Sequence, residues 1–63
     1  MTAAALKACR KRLGLSQEAF AEALGCGRRS LQNWESGSSP VPRYIGLACA
    51  ALALGLSEWP EQP

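Results

Sequence analysis

Polar side chains suited to binding another molecule are concentrated between residues 28 and 36, where arginine, glutamine and asparagine recur. If this segment is a helix, successive side chains are 100° apart and one broad arc points away from the core. Arginine can donate paired hydrogen bonds to guanine O6 and N7, and glutamine or asparagine can pair with adenine N6 and N7. The segment therefore has the side chains needed to read base-pair edges. The simpler alternative is that it is an ordinary polar helix face in contact with solvent. The arc consists of Arg28, Arg29, Gln32, Asn33 and Ser36.

The other side of the same segment predicts how the arc is held. Ser30, Leu31 and Trp34 cluster in angle and are expected to face the core. Glu35 lies at the edge of that buried face, close in angle to Leu31. Because a carboxylate pointed at nucleic acid would repel phosphate, we expect Glu35 to turn inward toward a cation.

Helix start and stop signals divide the chain into four short helices. Thr2 and Ser16 are candidate N-caps, glycines follow the first three helices, and prolines flank the fourth. The second and third helices are separated by only three residues opened by Gly25, so they should meet at a steep angle. Gly27 stands at the N-cap of the third helix, where it is a weaker cap than a hydroxyl residue. The predicted helices are 3–13, 17–24, 28–36, and from 42 or 43 to 54 or 55.

These elements predict an all-α fold, a compact bundle of four to five short helices that forms a single domain over residues 1–63. Residues 57–63 are expected to form a short, partly irregular tail, with one further turn allowed at Ser57 before Pro60 limits it. Residues 44–56 carry no charge but are too few to cross a bilayer. No membrane association is expected.

Composition argues against several classes of function. The chain has no histidine or aspartate, and its three cysteines show no CxxC spacing, so it cannot assemble a zinc site alone. No acid–base or nucleophile–base pair is apparent. The chain is therefore not expected to be an enzyme or to hold a metal or cofactor. Without a recognisable signal peptide, and with unpaired thiols, the expected location is the cytoplasm.

Charge is distributed unevenly along the sequence. All seven lysines and arginines lie in residues 1–43, which contain three glutamates and so carry a net charge of +4. Glu58 and Glu61 lie in the tail. A basic front and an acidic tail suit an anionic partner such as nucleic acid, although an ordinary charged surface explains the distribution equally well.

Three runs, Ser16–Gly25, Arg28–Leu31 and Trp34–Gly37, preceded by Arg10–Leu15, together resemble the lambda-repressor-like helix-turn-helix family of Xre/Cro type. The similarity covers about residues 3 to 56 and includes many correctly spaced features. It implies binding to double-stranded DNA by a transcriptional regulator, most simply a repressor. A protein-interaction or antitoxin-like module that reuses the fold is the alternative.

The resemblance also implies roles for single residues. Arg28, Arg29 and Asn33, with Gln32 beside them, would read bases in the major groove. Gln17, Ser36 and Arg43 would contact the DNA backbone. Arg10 would pair with Glu35 and so join the first helix to the third, in agreement with the angular argument for Glu35.

The fourth helix has more apolar surface than a small domain can cover. Ile45, Cys49, Leu52 and Leu56 form one stripe, and Leu47 and Leu54 lie nearly opposite. One hypothesis is that Leu47 and Leu54 form a two-fold homodimer contact. The alternative is that the tail covers this face, with Trp59 above it.

Overall fold

The computed structural model describes residues 1–60, and over that range it contains four α-helices and no strand. The predicted all-α fold is confirmed. No further turn of helix forms at Ser57 within the described part of the tail, and residues 61–63, including Glu61, lie outside the described residues. The helices are α1 Ala3–Leu13, α2 Gln17–Leu24, α3 Arg28–Ser36 and α4 Arg43–Ala53.

The first three helices have the bounds that the sequence predicts, because their capping signals act locally. Thr2 Oγ1 accepts a hydrogen bond from the Ala5 N–H at 3.1 Å, and Ser16 Oγ accepts one from the Ala19 N–H at 3.1 Å. Gly14 follows α1 with a φ of 71°, in the left-handed region that favours glycine.

The bounds of α4 differ slightly from the prediction. Pro42 is the N-cap, with an extended ψ of 150°, and not the first helical residue. The helix ends at Ala53, and Gly55 adopts a φ of 73°. Because the chain leaves the helix there, Leu56 cannot continue the buried stripe and is 58% exposed. Leu56 therefore does not extend the stripe that helical spacing predicts.

The core is small and draws one fully buried side chain from each helix: Leu6, Phe20, Leu31 and Ile45. Ala21, Trp34 and Cys49 complete it. α1 and α2 each pack against both α3 and α4. The site-bearing helix α3 is therefore positioned by α1 and α2 together.

Two expectations about side-chain positions are corrected. Ser30 is exposed, because the buried arc of α3 runs from Trp34 through Leu31 to Glu35 and Ser30 lies about 40° outside it. Trp59 is 92% exposed and leaves Leu47 63% exposed, so the tail as far as residue 60 does not cover the outer face of α4. Among residues 1–60, no helix has both the length and the apolar character needed to cross a membrane.

Candidate nucleic-acid interface

The turn between α2 and α3 sets the direction of the candidate DNA-reading helix. Gly25 ends α2 with a φ of 76°, and the Cys26 N–H donates to the Ala21 carbonyl at 3.0 Å. Gly27 then returns to extended backbone and caps α3 without a side-chain hydrogen bond. This tight reversal lets Leu31 enter the core while the opposite side of α3 remains in solvent.

The structure brings the predicted base-reading residues onto one exposed face of α3. Arg28, Arg29, Gln32, Asn33 and Ser36 are all exposed. Within residues 1–60, the side chains of Arg29, Gln32 and Asn33 make no intramolecular hydrogen bond. Their donors and acceptors are available to another molecule.

Two residues of that face have partners within the chain. Ser36 Oγ donates to the Asn33 carbonyl at 3.1 Å and shares a hydrogen bond with Ser38 Oγ at 2.9 Å. Arg28 Nη1 lies 4.0 Å from Glu18 Oε2, and both side chains are more than half exposed. An exposed pair of this kind contributes about 0–1 kcal/mol, so Arg28 can exchange Glu18 for a phosphate or a base at little cost. The sequence interpretation missed this pair, because it joins the start of α2 to the start of α3.

Glu35 is the centre of a buried polar network behind the face. Its side chain is only 3% exposed. Oε2 accepts a hydrogen bond from Arg10 Nε at 2.9 Å, and Oε1 accepts one from Arg10 Nη2 at 3.2 Å. Arg10 Nη1 also donates to the Leu15 carbonyl at 3.2 Å. This two-point contact ties α1 and the following loop to α3.

Gln17 belongs to the same network. Its Nε2 donates to Glu35 Oε1 at 3.2 Å, and its side chain is partly buried. The structure therefore gives Gln17 a contact that positions α3, which the sequence interpretation missed. The signal was weak, because the contact joins residues 18 positions apart and depends on how α2 crosses α3.

Arg43 is separated from the face on α3 by the loop 37–42. It is exposed at the first position of α4. The loop is anchored to the end of α3, since the N–H groups of Ser38 and Ser39 both donate to the Asn33 carbonyl, at 3.0 and 3.3 Å. Arg43 is thus a cation on a neighbouring element and not part of the face itself.

Burial changes the chemistry of two thiols that are not part of this face. Burial, with a smaller contribution from the nearby Cys9 side chain, raises the pKa of Cys49 to about 12. Burial also raises the pKa of Cys26. Both thiols are therefore less reactive than an exposed cysteine. Within residues 1–60, no group of three or more cysteine or acidic side chains could hold a metal ion.

Comparison with known proteins identifies the family of the chain. A helix-turn-helix family model matches residues 6–59, which includes all of α2, α3 and α4. Searches of curated proteins and of solved structures returned no significant match. Because the family model covers most of the chain, the resemblance is confirmed. The chain belongs to the lambda-repressor-like, or Xre-type, helix-turn-helix family of DNA-binding domains.

Proposed function

We propose that this protein is a sequence-specific transcriptional regulator, a repressor, that binds double-stranded DNA in the cytoplasm. α3 enters the major groove, where Arg28, Arg29, Gln32 and Asn33 contact base edges. Gln17, Ser36 and Arg43 contact the phosphate backbone and set the position of the domain on the duplex. A protein held in this way represses by occupying the site.

The observation that carries this proposal is the location of three exposed arginines at helix starts. Arg28 and Arg29 occupy the first turn of α3, and Arg43 is the first residue of α4. No acidic residue lies in either first turn, and neither N-cap provides a side-chain hydrogen bond. The positive end of the helix dipole disfavours cations. A phosphate at either helix start would interact favourably with the dipole and with the arginine there.

A repressor of this size most simply acts as a homodimer. Leu47 of α4 and Leu54, which caps the end of that helix, are exposed and provide an apolar contact that is separate from the face on α3. Two-fold symmetric domains require an inverted repeat, with half-sites about 34 Å apart or a multiple of that distance. Dimerisation thus predicts the symmetry of the DNA site.

Selection of bound duplexes from a random pool tests both parts of the proposal. Enrichment of one motif is expected, and an inverted repeat in that motif would reflect the dimer. Arg29→Ala should relax the base preference, because it removes a base contact. Arg43→Ala should weaken binding to all duplexes about equally, because a phosphate contact carries no sequence information. Wild-type binding by both variants on every duplex would refute the proposed docking face.

A protein-interaction module is the second candidate, favoured by the exposed apolar side chains of Tyr44, Leu47 and Leu54 on α4. A salt series separates the two candidates. DNA affinity should fall with a log–log slope of about −0.9 for each phosphate neutralised. Binding to an apolar protein surface should change little over the same range. Enrichment of no duplex, together with salt-insensitive capture of a protein partner, would favour the second candidate.

A further inference from the structure

The outer face of α4 carries three of the six large apolar side chains that are exposed among the described residues. Leu47 is 63% exposed, Leu54 is 75% exposed and Tyr44 is 64% exposed. Leu47 and Leu54 are seven residues apart, so they lie two turns apart and within about 20° of the same direction. Ala50 and Ala51 lie between them, on either side of the line that joins them. No charged residue occurs from position 44 to position 56.

This spacing is symmetric about the point between Ala50 and Ala51. We propose that two copies of this chain pack α4 against α4 in antiparallel orientation, with a two-fold axis through that point. Leu47 of each copy then lies against Leu54 of the other, and small side chains meet at the crossing, where they allow close approach. An isologous contact of this kind closes on itself and stops at two copies. The inference rests on the proposed homodimer and specifies its register.

Charge favours the antiparallel orientation over the parallel one. Arg43 is the first residue of α4, and Glu58 lies in the exposed tail after the end of that helix. Antiparallel packing brings the cationic start of one helix toward the acidic tail of the other. Parallel packing would place like charges side by side at both ends. Antiparallel helices also bring opposite ends of their dipoles together.

A dimer interface of the usual size needs the tail to take part in the contact, because α4 alone is too short. A standard interface buries about 800 Å² on each partner, roughly a sixth of the 4534 Å² surface of this chain. An eleven-residue helix cannot supply that area alone. Leu56 and Trp59 are exposed after the end of α4, and Tyr44 and Met1, which is 48% exposed and lies next to Gly46, are exposed at its start. Antiparallel packing brings these two ends together, so their apolar side chains can enlarge the contact.

Leu47→Lys and Leu54→Glu test the register, because both side chains are exposed and the variants should fold. Sedimentation at micromolar concentration should show a dimer for the wild type. In a homodimer of either variant, both Leu47–Leu54 contacts become a charged side chain against a leucine. Self-association of that variant should therefore be about a hundredfold weaker or more. An equimolar mixture forms one Lys–Glu contact and one Leu–Leu contact, and it should dimerise nearly as well as the wild type. If one variant is labelled with ¹⁵N, native mass spectrometry identifies the heterodimer.

The outcomes separate the register from the dimer and from DNA binding. Ala8→Lys places a matched charge on an exposed position of α1 and should leave dimerisation unchanged. A wild-type dimer whose two variants fail to associate on mixing would overturn the antiparallel register. A wild type that remains monomeric at every concentration would overturn the dimer itself. In either case both variants should bind a duplex with a single half-site as well as the wild type does. If the wild type itself binds no such duplex, the proposed function is refuted.

Discussion

Arg10→Met removes the cation from the buried network and keeps the apolar stem of the side chain. Glu35 would then be left with the Gln17 amide on Oε1 and no partner on Oε2. At 3% exposure its side chain cannot exchange the lost guanidinium for water. Removing one partner of a buried ion pair costs about 3–5 kcal/mol. For a chain of 63 residues, the whole free energy of unfolding is about 3–9 kcal/mol.

The expected effect is therefore a large loss of stability, measurable by urea denaturation and by thermal unfolding followed by circular dichroism. At roughly 4–8 °C per kcal/mol for a domain of this size, the Tm should fall by more than about 12 °C. Arg12→Met is the matched control, because Arg12 is exposed and has no ion-pair partner within residues 1–60. Its effect should stay within about 0.5 kcal/mol.

A double-mutant cycle identifies the source of the loss. Glu35→Leu should cost less than Arg10→Met, because Arg10 is 18% exposed and keeps the Leu15 carbonyl. The double variant Arg10→Met/Glu35→Leu should recover most of the stability, since apolar replacement of a buried pair is often close to neutral. If Arg10→Met lowers stability by less than about 1 kcal/mol, the network does not hold α3 as argued.

Three further changes test the caps of α3 and the buried thiol. Gly27→Ser should raise stability by a few tenths of a kcal/mol, because the backbone is extended and a Cβ there meets nothing within 4 Å; an unchanged or lower Tm would contradict this. Gly37→Ala should lower the free energy of unfolding by about 1–2 kcal/mol, because φ is 83° and alanine is strained there. A much smaller loss in urea denaturation would contradict this. Above pH 9 the unfolded thiol of Cys49 ionises while the folded thiol stays protonated up to about pH 12, so stability should fall as pH rises through that window. Cys49→Ala should flatten that slope, and identical slopes in the two proteins would refute the assignment.

Local signals explain why the sequence predicts the first three helices so closely. Thr2 and Ser16 make the capping hydrogen bonds expected of them, and the glycines after the helices adopt positive φ. The inward turn of Glu35 follows from its helical angle at the edge of the buried face together with the repulsion between a carboxylate and phosphate, and the structure places it there. These features depend on residues within one or two turns of each other.

Features that depend on distant packing were missed. The Gln17–Glu35 and Arg28–Glu18 contacts depend on the angle at which α2 crosses α3, which spacing within one helix does not specify. Leu56 satisfied the helical period but lies beyond Gly55, where the helix has already ended. Periodicity shows which residues could share a face, but the length of the helix decides which of them do.

The two ends of α3 are stabilised in different ways, and this difference bears on how the domain binds. Its second half is held by Leu31, Trp34 and the Glu35 network. Its first turn has a glycine cap and two arginines at the unfavourable end of the dipole. In the proposed complex, the polar residues of that turn would be ordered in part by the phosphates and bases they contact, and some binding free energy would be spent on ordering them. Gly27→Ser supplies part of that order in advance, so it should strengthen DNA binding as well as the fold. Gly27→Asp caps the same N–H groups but adds a negative charge near phosphate, so it should stabilise the fold and weaken binding. Opposite effects of the two caps on DNA affinity, at similar gains in Tm, would locate the phosphates at the start of α3; equal effects would place them elsewhere.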